Sequence, residues 1–454
     1  MIATLEQRFN RIIKKTKEHA VEKQFNHSIN LESTSGPKPP YWITGQTLYE
    51  VYIRSFTKEG TFDAAAKRLP QLKRLGINII WLMPIFPIGK VNRKGSLGSS
   101  YSVSNYYEIN PEYGSKELFM NFVNEAHNLN LKVIIDMVAN HVSFDYNAAQ
   151  KDPKLLMYDD HGKPFRKYAD WTDIVDLDYN YPATRTHIRD IMVYWLKEFS
   201  LDGFRCDVAG MVPVDFWEET VAHLRKINPD IFMLAEWEGS YLHKNAFHSS
   251  YDWVLYELMK SVKEGKESAI ILLEWQNIRR QSYPENSCPL RFLENHDLPR
   301  AVQTFGKDGI APFLTFIFTM DGLPLIYNGQ EKGDSNFLSH FEKEPIEWVL
   351  NNEDLSRVYK SLIELRQSIP AMSSSEIKVC LHNKIPDILI YEKSGKSKII
   401  VFLNMRSEQV FIEPGKELSA KLKKTAVLFN SQKNFSITQN KIILHPHQAI
   451  ILGE

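Results

Sequence analysis

From Leu48 to about Pro370 the chain alternates short apolar runs with apolar stripes at helical spacing, and this rhythm restricts the fold more than any other feature. Tyr49 to Phe56 reads as a strand. Phe62, Ala65, Ala66, Leu69 and Leu72 then recur on one helical face and stop at Gly76. The pattern repeats with a strand at Ile77 to Met83, a stripe from Leu118 to Leu129, and a strand at Lys132 to Val138. Stripes at Ile188 to Phe199 and Phe216 to Ile227 feed strands at Gly203 and at Ile231 to Ala235. Later strands are expected near Trp253-Val254-Leu255, Leu290-Arg291-Phe292, and Leu323 to Tyr327. About eight strands separated by helices predict an α/β fold, a (β/α)8 or TIM barrel.

One connection is long. About fifty residues, rich in Asp, Pro and aromatics, separate the third strand from its helix, a length expected of a functional loop or small subdomain, here residues 143–183. Past Pro370 the helical period gives way to short β runs such as Ile388-Leu389-Ile390-Tyr391. The expected division is an N-terminal helical and linker segment over 1–40, a barrel over 41–372, and a C-terminal antiparallel β-sandwich domain over 373–454.

Acidic groups fall where the apolar runs end. Asp207 closes Gly203-Phe204-Arg205-Cys206-Asp207, and Glu236 follows Phe232-Met233-Leu234-Ala235. In a barrel both stand at the C-terminal rim, where active sites form. Asp136 with Asn140 and His141, and Asn295-His296-Asp297, reach the same rim. Each motif alone has an ordinary reading as a salt bridge, helix cap or turn; their shared placement does not.

Bulk properties remove other classes. Lys+Arg and Asp+Glu both total 55, so no basic field exists for nucleic acid or an anionic membrane surface. No apolar run reaches the length of a membrane span. Cys206, Cys288 and Cys380 form no disulfide or metal spacing, and Cys206 should point away from Arg205 and Asp207 as a buried thiol. The N-terminus lacks a secretion signal, so a cytoplasmic location is expected.

Taken together, the segments resemble the α-amylase family of glycoside hydrolases, family 13. Its signatures are similar to Asp136-Met137-Val138-Ala139-Asn140-His141, Gly203-Phe204-Arg205-Cys206-Asp207, the segment around Glu236, and Phe292-Leu293-Glu294-Asn295-His296-Asp297. Tyr101-Ser102-Val103-Ser104-Asn105-Tyr106 and Val175-Asp176-Leu177-Asp178 resemble two further family motifs. The resemblance implies a retaining hydrolase of α-1,4-glucosidic bonds in starch-like glucans or maltooligosaccharides.

Retention needs an ionised nucleophile and a protonated acid. Arg205 shares a strand face with Asp207 and should hold it ionised, which makes Asp207 the nucleophile. Glu236 is expected to have no basic neighbour and lies near Leu234 and Trp237, as suits an acid/base of raised pKa. By resemblance Asp297 stabilises the transition state, Tyr101 stacks on the sugar, His141 and His296 bind it, and Asp136 supports them. No cofactor is required for the chemistry. The family often carries a structural calcium, and Asn140 and Asp176 match its side-chain ligand positions.

Two departures bear on specificity. Gly210-Met211 stands where many starch amylases have a Lys-His pair that contacts the product-side sugar. Ser102 follows Tyr101 where the family's α-glucosidases commonly have an Asp that grips the terminal glucose. This predicts an open cleft that cuts internal bonds, unless a residue of the Lys90-to-Ser100 segment closes it. An α-glucan transglycosylase or an α-glucosidase remains open as an alternative. A metal-dependent hydrolase would want a His pair on the first strand, which is lacking, and a non-catalytic relative would have lost Asp207 or Glu236.

Overall fold

A computed structural model of the chain describes residues 35–348, 353–380, 387–434, 436–438 and 440–454. Most of the 1–40 segment, with its expected helical pattern, lies outside the described residues.

Eight parallel strands close into a barrel. They are β1 (Leu48–Val51), β2 (Ile79–Leu82), β3 (Lys132–Met137), β4 (Gly203–Cys206), β5 (Phe232–Ala235), β6 (Ser249–Tyr251), β7 (Cys288–Arg291) and β8 (Leu323–Tyr327). Each pairs with its neighbours in sequence, and β8 returns to β1 with Leu48 opposite Leu325. Most of the strands read as apolar runs because both faces are covered, by helices outside and by packed side chains within. Ile79, Ile80, Trp81 and Leu82 are all fully buried.

The stripe from Phe62 to Leu72 is divided between helices Phe62–Ala66 and Leu69–Leu75. Pro70 lacks an N–H and would clash with a carbonyl one turn back, so it starts the second helix instead of continuing the first.

Two strand expectations need correction. The first strand ends at Val51, and Ile53–Phe56 forms a helical turn that takes Arg54 inward to the carbonyl of Gly98 at 2.8 Å. The sixth strand is Ser249–Tyr251, and Trp253 opens the following helix, Trp253–Lys263. The apolar Trp253-Val254-Leu255 is the buried face of that helix, while two serines hid the strand.

The connection after β3 carries a small antiparallel pair, His141–Ser143 with Ile174–Asp176, and a short helix, Asn147–Lys151. Beyond the last barrel helix, Glu353–Ser368, the chain forms a five-stranded and a three-stranded antiparallel sheet. Alternate residues of strand Ile399–Asn404 serve different sides. Ile400 and Phe402 join the core shared with the three-stranded sheet, whereas Ile399, Val401 and Leu403 belong to the barrel's own core. At that seam the Tyr391 hydroxyl meets Thr319 Oγ1 at 2.6 Å, and the buried Lys393 amine donates to the Thr319 carbonyl. Among the described residues no helix is long and apolar enough to cross a membrane.

Candidate active site

At the C-terminal rim the centre is Arg205, on β4 and fully buried. Its Nη1 donates to Asp136 at 2.8 and 2.9 Å and to Asp207 Oδ1 at 3.0 Å. Its Nη2 lies 2.9 Å from Glu236 Oε1. The guanidinium also lies within 5.0 Å of the Trp81 ring centre and 5.7 Å of that of Tyr101. One cation therefore joins three carboxylates from β3, β4 and β5, in a setting where aromatic faces favour it.

This corrects the expectation that Glu236 has no basic neighbour. Arg205 is distant from it along the chain but adjacent across β4 and β5, where Arg205 pairs with Leu234. The expectation that Arg205 keeps Asp207 low also changes. Burial pushes Asp207 up to about 6 against the pull of Arg205, and pushes Glu236 up to about 7 with the Asp207 and Asp297 charges adding to it. Both carboxyls are raised, and the cause is desolvation and repulsion among the acids, with Arg205 opposing it at each.

His296, after β7, is held on both ring nitrogens. Nδ1 meets Glu50 of β1, and Nε2 lies 2.8 Å from the Tyr101 hydroxyl, whose ring stacks on it. Tyr101 also donates to Asp136 Oδ2 at 3.1 Å. Asp297 Oδ2 is 3.3 Å from His296 Nε2, and its side chain is 43 % exposed at the floor of the opening. There the cost of burial is outweighed by His296, His340 and Arg205, which hold Asp297 below its ordinary value. His141 Nε2 approaches Asp207 Oδ2 at 3.8 Å, and burial lowers His141 to about 4, so it acts as a neutral imidazole.

These groups open on a cavity of about 220 Å³. All seven side chains singled out for catalysis and sugar binding lie in it or directly beneath it. Other residues reach the site without a signature in the sequence, among them Glu50, His340 and Trp171. Glu50 is a lone carboxylate inside an apolar strand. His340 and Trp171 come from loops without periodicity, and only folding brings them to Asp297 and His141.

Asn140 and Asp176 meet, but as partners. The Asn140 amide donates to Asp176 Oδ1 at 3.5 Å, and Asp176 Oδ2 accepts from the Lys167 N–H at 3.0 Å. Calcium takes six to eight oxygens. Here the amide nitrogen faces the carboxylate, whose two oxygens already have donors, so the residues do not fit a calcium cage. The melting temperature is expected to stay within about 1 °C when EDTA is added. A fall reversed by calcium would restore the ion to this loop.

At Gly210 a Cβ would lie 2.0 Å from Cε2 of Trp237. The indole fills the space a side chain would need, which explains why a Lys-His pair is not accommodated here.

The family model described as "Alpha amylase, catalytic domain" matches residues 21–174 and 154–362. The chain is 27 % identical to Alpha-amylase 3 of Dictyoglomus thermophilum, over 90 % of this chain and 93 % of that one. Among solved structures, an alpha-amylase from Lactobacillus plantarum superposes with TM-score 0.81 at 28 % identity, covering 90 % of this chain and 99 % of that chain. The noncanonic maltogenic alpha-amylase AmyB from Thermotoga neapolitana gives TM-score 0.81 at 30 % identity, covering 90 % and 98 %. The carboxylates, their shared arginine and the closed barrel stand on a chain that belongs to the alpha-amylase family, glycoside hydrolase family 13.

Proposed function

We propose that this protein is a glycoside hydrolase that cleaves α-1,4-glucosidic bonds in maltooligosaccharides and starch-like glucans with retention of configuration. The observation that carries the reading is Arg205 bridging Asp207 and Glu236 beneath one small cavity, with Asp297 at its opening.

In this reading Asp207 attacks the anomeric carbon while Glu236 delivers its proton to the departing oxygen, and a glycosyl–Asp207 ester forms. Glu236, now ionised, takes a proton from water, which attacks the same carbon and frees Asp207. Asp297 accepts from ring hydroxyls as positive charge grows on the sugar, and His296, fixed by Glu50, holds the Tyr101 hydroxyl beside it. Tyr101 offers a flat face, and neutral His141 an uncharged hydrogen-bonding edge. Neither step calls on a metal. The working unit is taken as residues 41–372, with 373–454 as the appended β domain.

The test is a product assay on starch, maltoheptaose, pullulan and trehalose with proton NMR of fresh product. Cleavage of the α-1,4 substrates with the α-anomer appearing first is expected, since two inversions restore configuration. The β-anomer first, or activity on trehalose alone, overturns the reading.

A further inference from the structure

Resting on the α-glucan reading, we propose that an ion pair between Lys94 and Asp173 seals the pocket at the glycone end, so that the enzyme takes only non-reducing chain ends. Strands run around the barrel in sequence order, so β1 lies diametrically across from β5, the strand that presents Glu236. The leaving group must lie towards Glu236, and the rest of the sugar chain on the glycone side must run out towards β1 and its neighbours. That side is walled.

The loop after β2 is tied to the loop after β8. Leu97 N–H donates to the Phe341 carbonyl at 3.1 Å, and Ser96 N–H to Glu342 Oε1 at 2.7 Å. The contact is close enough that a Cβ at Gly95, whose φ is +62°, would lie 2.6 Å from the Phe341 Cβ. From the same loop Lys94 spans to the loop after β3, with Nζ 3.3 Å from Asp173 Oδ1 and 2.9 Å from the Asp170 carbonyl. Phe341, Lys94, Asp173 and Trp171 all line the cavity.

Ser102 does not face the sugar. It is buried, and its hydroxyl donates to the Asp173 carbonyl at 2.8 Å, anchoring the backbone that carries the carboxylate. The short residue after Tyr101 thus serves the wall from behind, which reverses the inference of an open cleft drawn from its size.

Volume and chemistry agree. About 220 Å³ is below the roughly 300–1,000 Å³ of pockets for drug-sized ligands, and suits one hexose ring, not a row. An ammonium and a carboxylate side by side offer a donor and an acceptor to free hydroxyls. The 4-hydroxyl is free only on the terminal residue; in an internal residue it carries the next sugar, which would collide with the pair.

The test uses maltoheptaose labelled at its reducing end, with and without a 4,6-acetal cap on the non-reducing glucose. Expected is stepwise appearance of labelled maltohexaose and maltopentaose, with unlabelled glucose released, and cleavage of the capped substrate at least about a hundredfold slower. Lys94→Ala should raise the capped-to-uncapped rate ratio about tenfold. Lys94→Met, which keeps most of the side chain's length without its charge, should raise it less and serves where the smaller variant folds poorly. Early labelled maltose or maltotriose, or equal rates on both substrates, overturns the closure while leaving α-glucan hydrolysis intact. An unchanged ratio in both variants overturns the role of Lys94. No cleavage of the uncapped substrate overturns the hydrolase reading itself.

Discussion

Asp207→Asn and Glu236→Gln are each expected to lower turnover by roughly four orders of magnitude without unfolding the protein, and together to lose little more than either alone. The two carboxyls act in one step, one attacking carbon as the other releases oxygen. Removing either leaves the other without a reaction to assist. Their environments also fix the pH range. Activity should fall as pH drops through about 6, where Asp207 takes a proton, and as pH rises through about 7, where Glu236 loses one. The two limbs describe the coupled pair, and a narrow bell is expected. Steady-state rates on maltoheptaose with matched melting curves would check this. Activity within tenfold of wild type in either variant removes that residue from its role.

Arg205→Met is expected to harm stability as well as activity. Its guanidinium compensates Asp136, Asp207 and Glu236, and is itself fully buried. Breaking a buried pair by removing one partner costs about 3–5 kcal/mol, because the other partner keeps its desolvation penalty. Three carboxylates share that loss here, so a drop of at least about 5 °C in melting temperature is expected at pH 8. The pH dependence has a definite sign. Without the cation these carboxyls have folded pKa values raised above their unfolded ones, so the folded state binds protons more readily. The deficit against wild type should therefore shrink as pH falls towards 5 and widen as it rises. A variant that melts within about 1 °C of wild type at pH 8 would mean that the carboxylates are neutral already and that Arg205 does not balance them.

The barrel was legible because its strands obey one rule, burial on both faces, and its helices another, burial on one. Where a local feature breaks the rule, the apolar pattern and the element part company. Ser249-Ser250-Tyr251 is a strand that lacks an apolar run of its own and is paired on both sides, and Trp253 belongs to a helix because β6 has already ended. The site was legible to the same degree. Residues delivered by strand ends, Arg205, Asp207, Glu236 and His296, sit at fixed offsets from apolar runs. Lys94, Trp171, Asp173 and His340 are delivered by loops whose meeting depends on contacts across the rim, and no spacing encodes those. The contact between Arg205 and Glu236 shows the limit most plainly. Sequence separation said nothing about two residues on adjacent parallel strands.

The appended sheets have a consequence for how the chain can be cut or recombined. Helix Ile310–Thr319 ends inside the molecule, and the donors that satisfy its terminal carbonyls come from elsewhere: Arg366 for Phe318, at 2.7 Å, and Lys393 for Thr319. Lys393 is buried, and desolvation drives its amine well below the ordinary lysine range, so the carbonyl it meets is part of what holds it in place. Removing the chain after Ser373 would strip an acceptor of its partner and bare the apolar surface of the barrel helices that the sheet covers. A module boundary drawn by fold thus cuts through a shared apolar core and the hydrogen bonds at its edge. Exchange of the terminal segment between relatives would have to carry Lys393, Tyr391 and the Thr319 helix end together.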